Sequence, residues 1–297
     1  VSGPPAAARP DAVAVALLVG LVVVISACTG AGTPALRTAE VTVVGSDTML
    51  PLNRRLAEEF MVAHPGVAVR VEGGGTARGV AALIAGEADL CAASRPLAAS
   101  EIEALYARFE SLGVRFLVAQ DALSVYLHPD NPVRDLSLAA LRAVFDGSIR
   151  SWAEVGGGAL SIEVVVRPPN SGTARFFRDH VLTGGEFAPQ ARTEVTTADV
   201  VRAVADNPGA IGFGGTAFGR GLVHCAVEGV APSHGSVGAG TYPLTRFLQF
   251  VAAKRPGGWV EAFVDWCLGP EGQAMVAEQG LVALWEPRTL AVPVAVP

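Results

Sequence analysis

Three short stretches of this chain carry one chemistry. Gly45-Ser46-Asp47-Thr48, Gly74-Gly75-Thr76 and Asn170-Ser171-Gly172-Thr173 are rich in glycine and hydroxyls, and each lies between a β-rich run and an apolar helical pattern. A helix N-terminus presents N–H groups with no intrahelical acceptor, together with the positive end of the helix dipole. Glycine lets a ligand approach the backbone, and Ser or Thr adds a hydroxyl donor. Aimed at one point, three such termini make a cage for a desolvated oxyanion. Arg167, just before the third stretch, supplies a planar cation. One such loop alone reads more readily as a helix cap or a glycine turn, so the recurrence carries the argument.

The elements that must position these loops follow a repeated grammar. A β-rich run at 41–44 leads into the first loop, after which Leu52, Leu56 and Phe60 share a helical face and Pro51 suits a first turn. Residues 67–71 alternate as a strand, and Val80, Leu83 and Ile84 mark a helix that Gly86 ends. A strand at 89–92 runs into Ser94-Arg95-Pro96, and another is expected at 123–127. Leu138, Leu141 and Phe145 mark a helix stopped by Gly147; a strand at 162–166 then feeds the third loop and a helix at 174–181. Further on, a helix is expected at 200–205, strands at 211–213 and 247–252, and helices at 259–268 and 271–279. Strands alternating with helices predict an α/β fold with mostly parallel pairing.

Composition bounds the function. The chain has 297 residues, 51% of them hydrophobic and 17% charged, which excludes a disordered tail. Its net charge of −6 excludes a general nucleic-acid binder and means that an anion site must rest on local dipoles and a few cations. Those cations are nearly all Arg; Lys254 is the only lysine. Residues 12–27 form an apolar run of signal-peptide type ending at Cys28, and Ile25-Ser26-Ala27-Cys28 resembles a bacterial lipobox, which makes Cys28 the expected lipidation site. Residues 29–39 read as a tether. Cys91, Cys225 and Cys267 show no C-x-x-C spacing and read as small buried hydrophobes, although an oxidising compartment would permit one disulfide. The five histidines (64, 128, 180, 224 and 234) are scattered, so neither a metal centre nor a cofactor is expected.

From about residue 41 to 284 the chain resembles the periplasmic phosphate-binding proteins of ABC importers. The resemblance rests on the first loop, Gly73-Gly74-Gly75-Thr76-Ala77-Arg78-Gly79, Ala85-Gly86-Glu87-Ala88-Asp89 leading to Ala93-Ser94-Arg95-Pro96, and Phe145-Asp146-Gly147 with Trp152. It continues through the third loop, Asn207-Pro208-Gly209-Ala210-Ile211-Gly212, Tyr242-Pro243-Leu244 and Pro270-Glu271-Gly272-Gln273, all in the family's order. It implies a two-lobed α/β structure, the type II periplasmic-binding-protein fold, with two crossover strands and a ligand cleft between the lobes. Residues 1–28 would be the signal peptide, 40–119 with 241–297 lobe one, and 120–240 lobe two, with crossings near 117–126 and 242–250. The implied phosphate ligands are Ser46, Thr48 and Thr76 from one lobe, and Arg167, Ser171, Gly172 and Thr173 from the other. Ser94 and Arg95 join the set, Arg95 standing where some branches of the family place an Asp.

The resemblance further implies capture without catalysis, an extracytoplasmic, lipid-anchored monomer, and as partners inorganic phosphate, an ABC permease and its ATPase. No nucleic acid is involved, and the membrane is met only through the anchor. Phosphate near neutral pH carries a proton and sulfate does not, so a buried carboxylate acceptor would discriminate between them; Asp47 is the candidate. Departures from the family keep another tetrahedral oxyanion (sulfate, tungstate, molybdate) as the alternative: Thr76 stands for Ser, Arg78 adds a charge, and the Arg167 loop lacks an acid near Pro169. A secreted hydrolase using Ser171 is the remoter one, because there is no G-x-S-x-G motif and His180 lies over two helical turns from Ser171.

Overall fold

A computed structural model describes residues 1–3 and 39–285. The expected signal peptide, Cys28 and nearly all of the tether lie outside the described residues. From Ala39 the grammar read from the sequence is realised. Strand β1 (Ala39–Gly45) leads into helix α1 (Leu50–Ala63), β2 (Val67–Glu72) into α2 (Thr76–Ala85), and β3 (Leu90–Ala93) into α3 (Ala99–Phe109). In α1 the buried face is Leu52, Leu56 and Phe60, with Pro51 in the first turn, where its missing N–H is no loss. Helix α2 ends on Gly86 in the left-handed conformation.

The long strand β4 (Val114–Leu127) follows, then the short β5 (Asp135–Leu136), α4 (Leu138–Phe145) and β6 (Glu163–Val166). Helix α5 (Gly172–His180) comes next, then β7 (Arg192–Thr193), α6 (Thr197–Ala205), β8 (Ala210–Gly215) and β9 (Val223–Val227). The short α7 (His234–Gly238), β10 (Thr245–Ala252), α8 (Gly258–Leu268) and α9 (Pro270–Glu278) complete the described chain.

The two-lobed α/β architecture is visible in the packing. One apolar core gathers Val41, Leu56, Phe60, Leu90, Val118, Ala119, Leu248 and Phe263. The other gathers Ala122, Leu123, Phe145, Trp152, Phe177, Phe213 and Leu244. Phe177 stacks on Phe213 with ring centroids 4.4 Å apart. Strand β4 contributes to both cores, changing sides between Ala119 and Ala122, and the returning chain changes back between Leu244 and Leu248.

Pairing departs from the mostly parallel expectation. Strands β1, β2 and β3 pair in parallel, as do β6 with β7 and β8, because helices carry the chain back across each sheet. The crossing strands β4 and β10 run antiparallel to each other, β10 also to β3 and β4 also to β8 and β9. One crossing leaves a lobe and the other returns to it, so their directions must oppose. No helix among the described residues is long and apolar enough to cross a membrane.

Candidate functional site

The three loops meet where the lobes touch. Ser46 and Thr48 lie in the turn between β1 and α1, Thr76 opens α2, and Ser171, Gly172 and Thr173 open α5; all but Gly172 are at most 5% exposed, and Gly172 is itself buried. Ser171 caps α5, its hydroxyl accepting from the Ala174 N–H at 3.3 Å. From opposite lobes, Thr48 Oγ1 and Thr173 Oγ1 lie 2.9 Å apart in a hydrogen bond. Thr76 Oγ1 accepts from the Ser94 N–H at 3.3 Å. A Cβ on Gly172 would fall 2.2 Å from Thr76 Oγ1 and 2.7 Å from Ser94 Oγ, so only glycine lets the first turn of α5 come this close. The Asn170 carbonyl accepts from the Ala77 N–H at 3.3 Å, and its side-chain amide donates to the Gly74 carbonyl at 3.0 Å. Gly75, at φ +90°, makes room for that contact, since a Cβ there would meet the Asn170 oxygen at 2.5 Å.

The charges are few and individually placed. Arg167 donates through Nη2 to Asp47 Oδ2 at 2.7 Å and through Nη1 to Thr197 Oγ1 at 2.8 Å. Asp47 Oδ1 accepts from the Gly74 N–H at 2.8 Å, so this carboxylate spans the cleft instead of capping α1. Burial pushes the Arg167 pKa down and Asp47 pushes back; a guanidinium stays charged through such a shift. Two buried atoms here, Ser94 Oγ and Arg167 Nε, have no hydrogen-bond partner; Asn53 Oδ1 and Arg95 Nε complete the set among the described residues. A buried donor left unpaired costs about 1–3 kcal/mol. Together with three helix N-termini, Ser94 Oγ and Arg167 Nε supply donors suited to an anion.

Not every expected residue joins the cluster. Arg95 is buried, but both terminal nitrogens donate to Glu101 at 2.7 Å and one also reaches the Pro96 carbonyl at 2.9 Å. Burial raises the Glu101 pKa, but hydrogen bonds from Arg95 and the Ala98 N–H, with the arginine charge, outweigh it and hold the carboxyl below its ordinary value. Arg78 lies outside the site, half-exposed and paired with Glu72. His180 stacks on Phe176 with centroids 3.8 Å apart and contacts the Phe176 carbonyl. Cys91, Cys225 and Cys267 are buried free thiols, and burial pushes the Cys91 and Cys225 pKa values up to about 12.

Sequence reading missed one feature of the site. Asp121 on β4 and Arg246 on β10 form an ion pair at 2.8 Å with side chains 0% and 1% exposed, and Arg246 Nη1 donates to Thr173 Oγ1 at 2.9 Å. The signal was present in the sequence, because each is the lone charge within an apolar run on a crossing segment.

Comparison with known proteins follows the geometry. Residues 30–271 match the family model described as a PBP superfamily domain. The phosphate-binding protein PstS of Bacillus subtilis strain 168 is 30% identical over 244 residues, covering 81% of this chain and 79% of the relative. The crystal structure of a Clostridium perfringens protein with bound phosphate, assigned as a phosphate ABC transporter substrate-binding protein, superposes with a TM-score of 0.77 at 26% identity, covering 83% of this chain and 100% of that one. An ABC-type phosphate transport receptor from Vibrio cholerae gives a TM-score of 0.69 at 26% identity, covering 82% and 99%.

Proposed function

The chain belongs to the PBP superfamily, among the phosphate-binding proteins of ABC importers, and from that premise we propose that it captures inorganic phosphate between its lobes for ABC-type import. One observation carries the reading for this chain's own residues. The unpaired Ser94 Oγ and Arg167 Nε are buried beside three helix N-termini that converge from two lobes. We assign lobe one to residues 40–119 and 241–297 and lobe two to 120–240. The ligand set is Ser46, Thr48, Thr76 and Ser94 from lobe one, with Arg167, Ser171, Gly172 and Thr173 from lobe two. Arg95 belongs to the supporting layer, through Glu101. Asp47 holds Arg167 and faces the ion as the acceptor for its proton.

An ion that touches both lobes stabilises the closed arrangement over the open one, and the closed form is what a permease would engage before its ATPase drives release. The protein works outside the cytoplasm as a monomer, tethered through lipid on Cys28, and catalyses no reaction.

A second reading, capture of an unprotonated oxyanion such as sulfate, is favoured by one fact. Both Asp47 oxygens already accept hydrogen bonds, from Gly74 and Arg167. Titration calorimetry with phosphate, arsenate, sulfate and tungstate separates the two. We expect phosphate and arsenate to bind at micromolar Kd or tighter, about −8 kcal/mol or below, and sulfate far more weakly. Preferential sulfate or tungstate binding would replace the phosphate reading.

A further inference from the structure

Asp121 and Arg246 stand opposite each other in the β4–β10 register. They occupy the place where both crossing segments change cores, between Ala119 and Ala122 on one and between Leu244 and Leu248 on the other. Arg246 directs Nε and Nη2 to Asp121 Oδ2 at 2.9 and 2.8 Å, and Nη1 to Thr173 Oγ1 at 2.9 Å. Asp121 Oδ1 accepts from the Thr216 N–H and hydroxyl at 3.2 and 3.3 Å. Three of the five guanidinium N–H groups are therefore directed, one edge on the Asp121 carboxylate and the other on a lobe-two hydroxyl. That hydroxyl bonds Thr48 Oγ1 of lobe one.

The donor count has a consequence. Thr173 Oγ1 gives one lone pair to Arg246, and one of the two threonine hydrogens joins Thr48 to Thr173. The other hydrogen is left to donate into the cleft, whichever hydroxyl carries it.

We propose that Arg246, clamped by Asp121, is a positioning residue of the anion site, setting the Thr48–Thr173 hydroxyl pair across the cleft from the crossing strands. The proposal rests on the phosphate reading above for its ligand. A lysine at 246 keeps a cation opposite Asp121 but has no planar fork to serve Asp121 and Thr173 together. Arg246→Lys in the full chain should weaken phosphate binding at least tenfold by calorimetry. The same substitution placed on Thr173→Val should produce little additional loss, because the two act through one contact.

Parent-like affinity in Arg246→Lys, or equal losses in both backgrounds, overturns the proposal and leaves the pair a strand fastener. Should Arg246→Lys not fold, the charge-balanced pair Asp121→Asn with Arg246→Met takes its place under the same expectations. A parent chain that binds none of the four anions sinks the phosphate reading instead. The positioning role is then decided without ligand, by hydrogen exchange over residues 171–176. Faster exchange in Arg246→Lys supports it, and unchanged exchange overturns it.

Discussion

At the scale of single residues, the site balances charge and leaves donors to spare. Arg167 is neutralised by Asp47 and Arg246 by Asp121, so an arriving anion meets hydroxyls, N–H groups and one free Nε edge. Asp47 sets the selectivity in this arrangement. Asp47→Asn keeps an oxygen for the Gly74 N–H but removes the charge that repels an unprotonated dianion and accepts a phosphate proton. We expect the phosphate-over-sulfate preference to fall at least tenfold, roughly 1.4 kcal/mol, in competition calorimetry, chiefly through tighter sulfate. An unchanged ratio would remove Asp47 from the selectivity role. The hydroxyls and Arg167 were legible because polar residues at helix starts follow a local rule. The Asp47–Arg167 pairing was not, since it joins residues 120 positions apart that only the fold brings together.

At the scale of elements, most strands and helices were legible because their apolar periodicity is strong. Helix α3 (Ala99–Phe109) was not legible for a physical reason, as only Leu105 on it is fully buried. Strand β9 escaped because it is short and half-buried. The antiparallel sense of β4 and β10 also stayed hidden, since no local pattern encodes which way a crossing strand runs. Helix α5 offers the element-level test. Gly172 lies in its first turn with ordinary helical geometry, so alanine suits the helix itself. The added methyl would nevertheless hold Thr76 and Ser94 away. Gly172→Ala should melt within a few degrees of the parent without ligand yet lose phosphate affinity at least a hundredfold. Parent-like affinity would mean that the two lobes need not meet at this point.

At the scale of the whole molecule, two cores joined by two strands should respond to ligand as one body. Phosphate at a hundred times its Kd should stabilise the fold by about 2.7 kcal/mol and raise the melting temperature by roughly 5 °C or more, while chloride at equal ionic strength should not. No shift at saturating phosphate would contradict capture between lobes. The net charge of −6 does not oppose this, because screening over about 8–10 Å leaves the buried donors in control. The two crossings are also hydrogen-bonded to each other from Thr245↔Ala122 through Ala252↔Val114. Strands laced edge to edge resist splaying apart and yield to twisting, so they behave as a single flexure with one easy direction of swing. Such a spine would confine loading and unloading to the same open flank, and whatever receives the ion would have to approach from there.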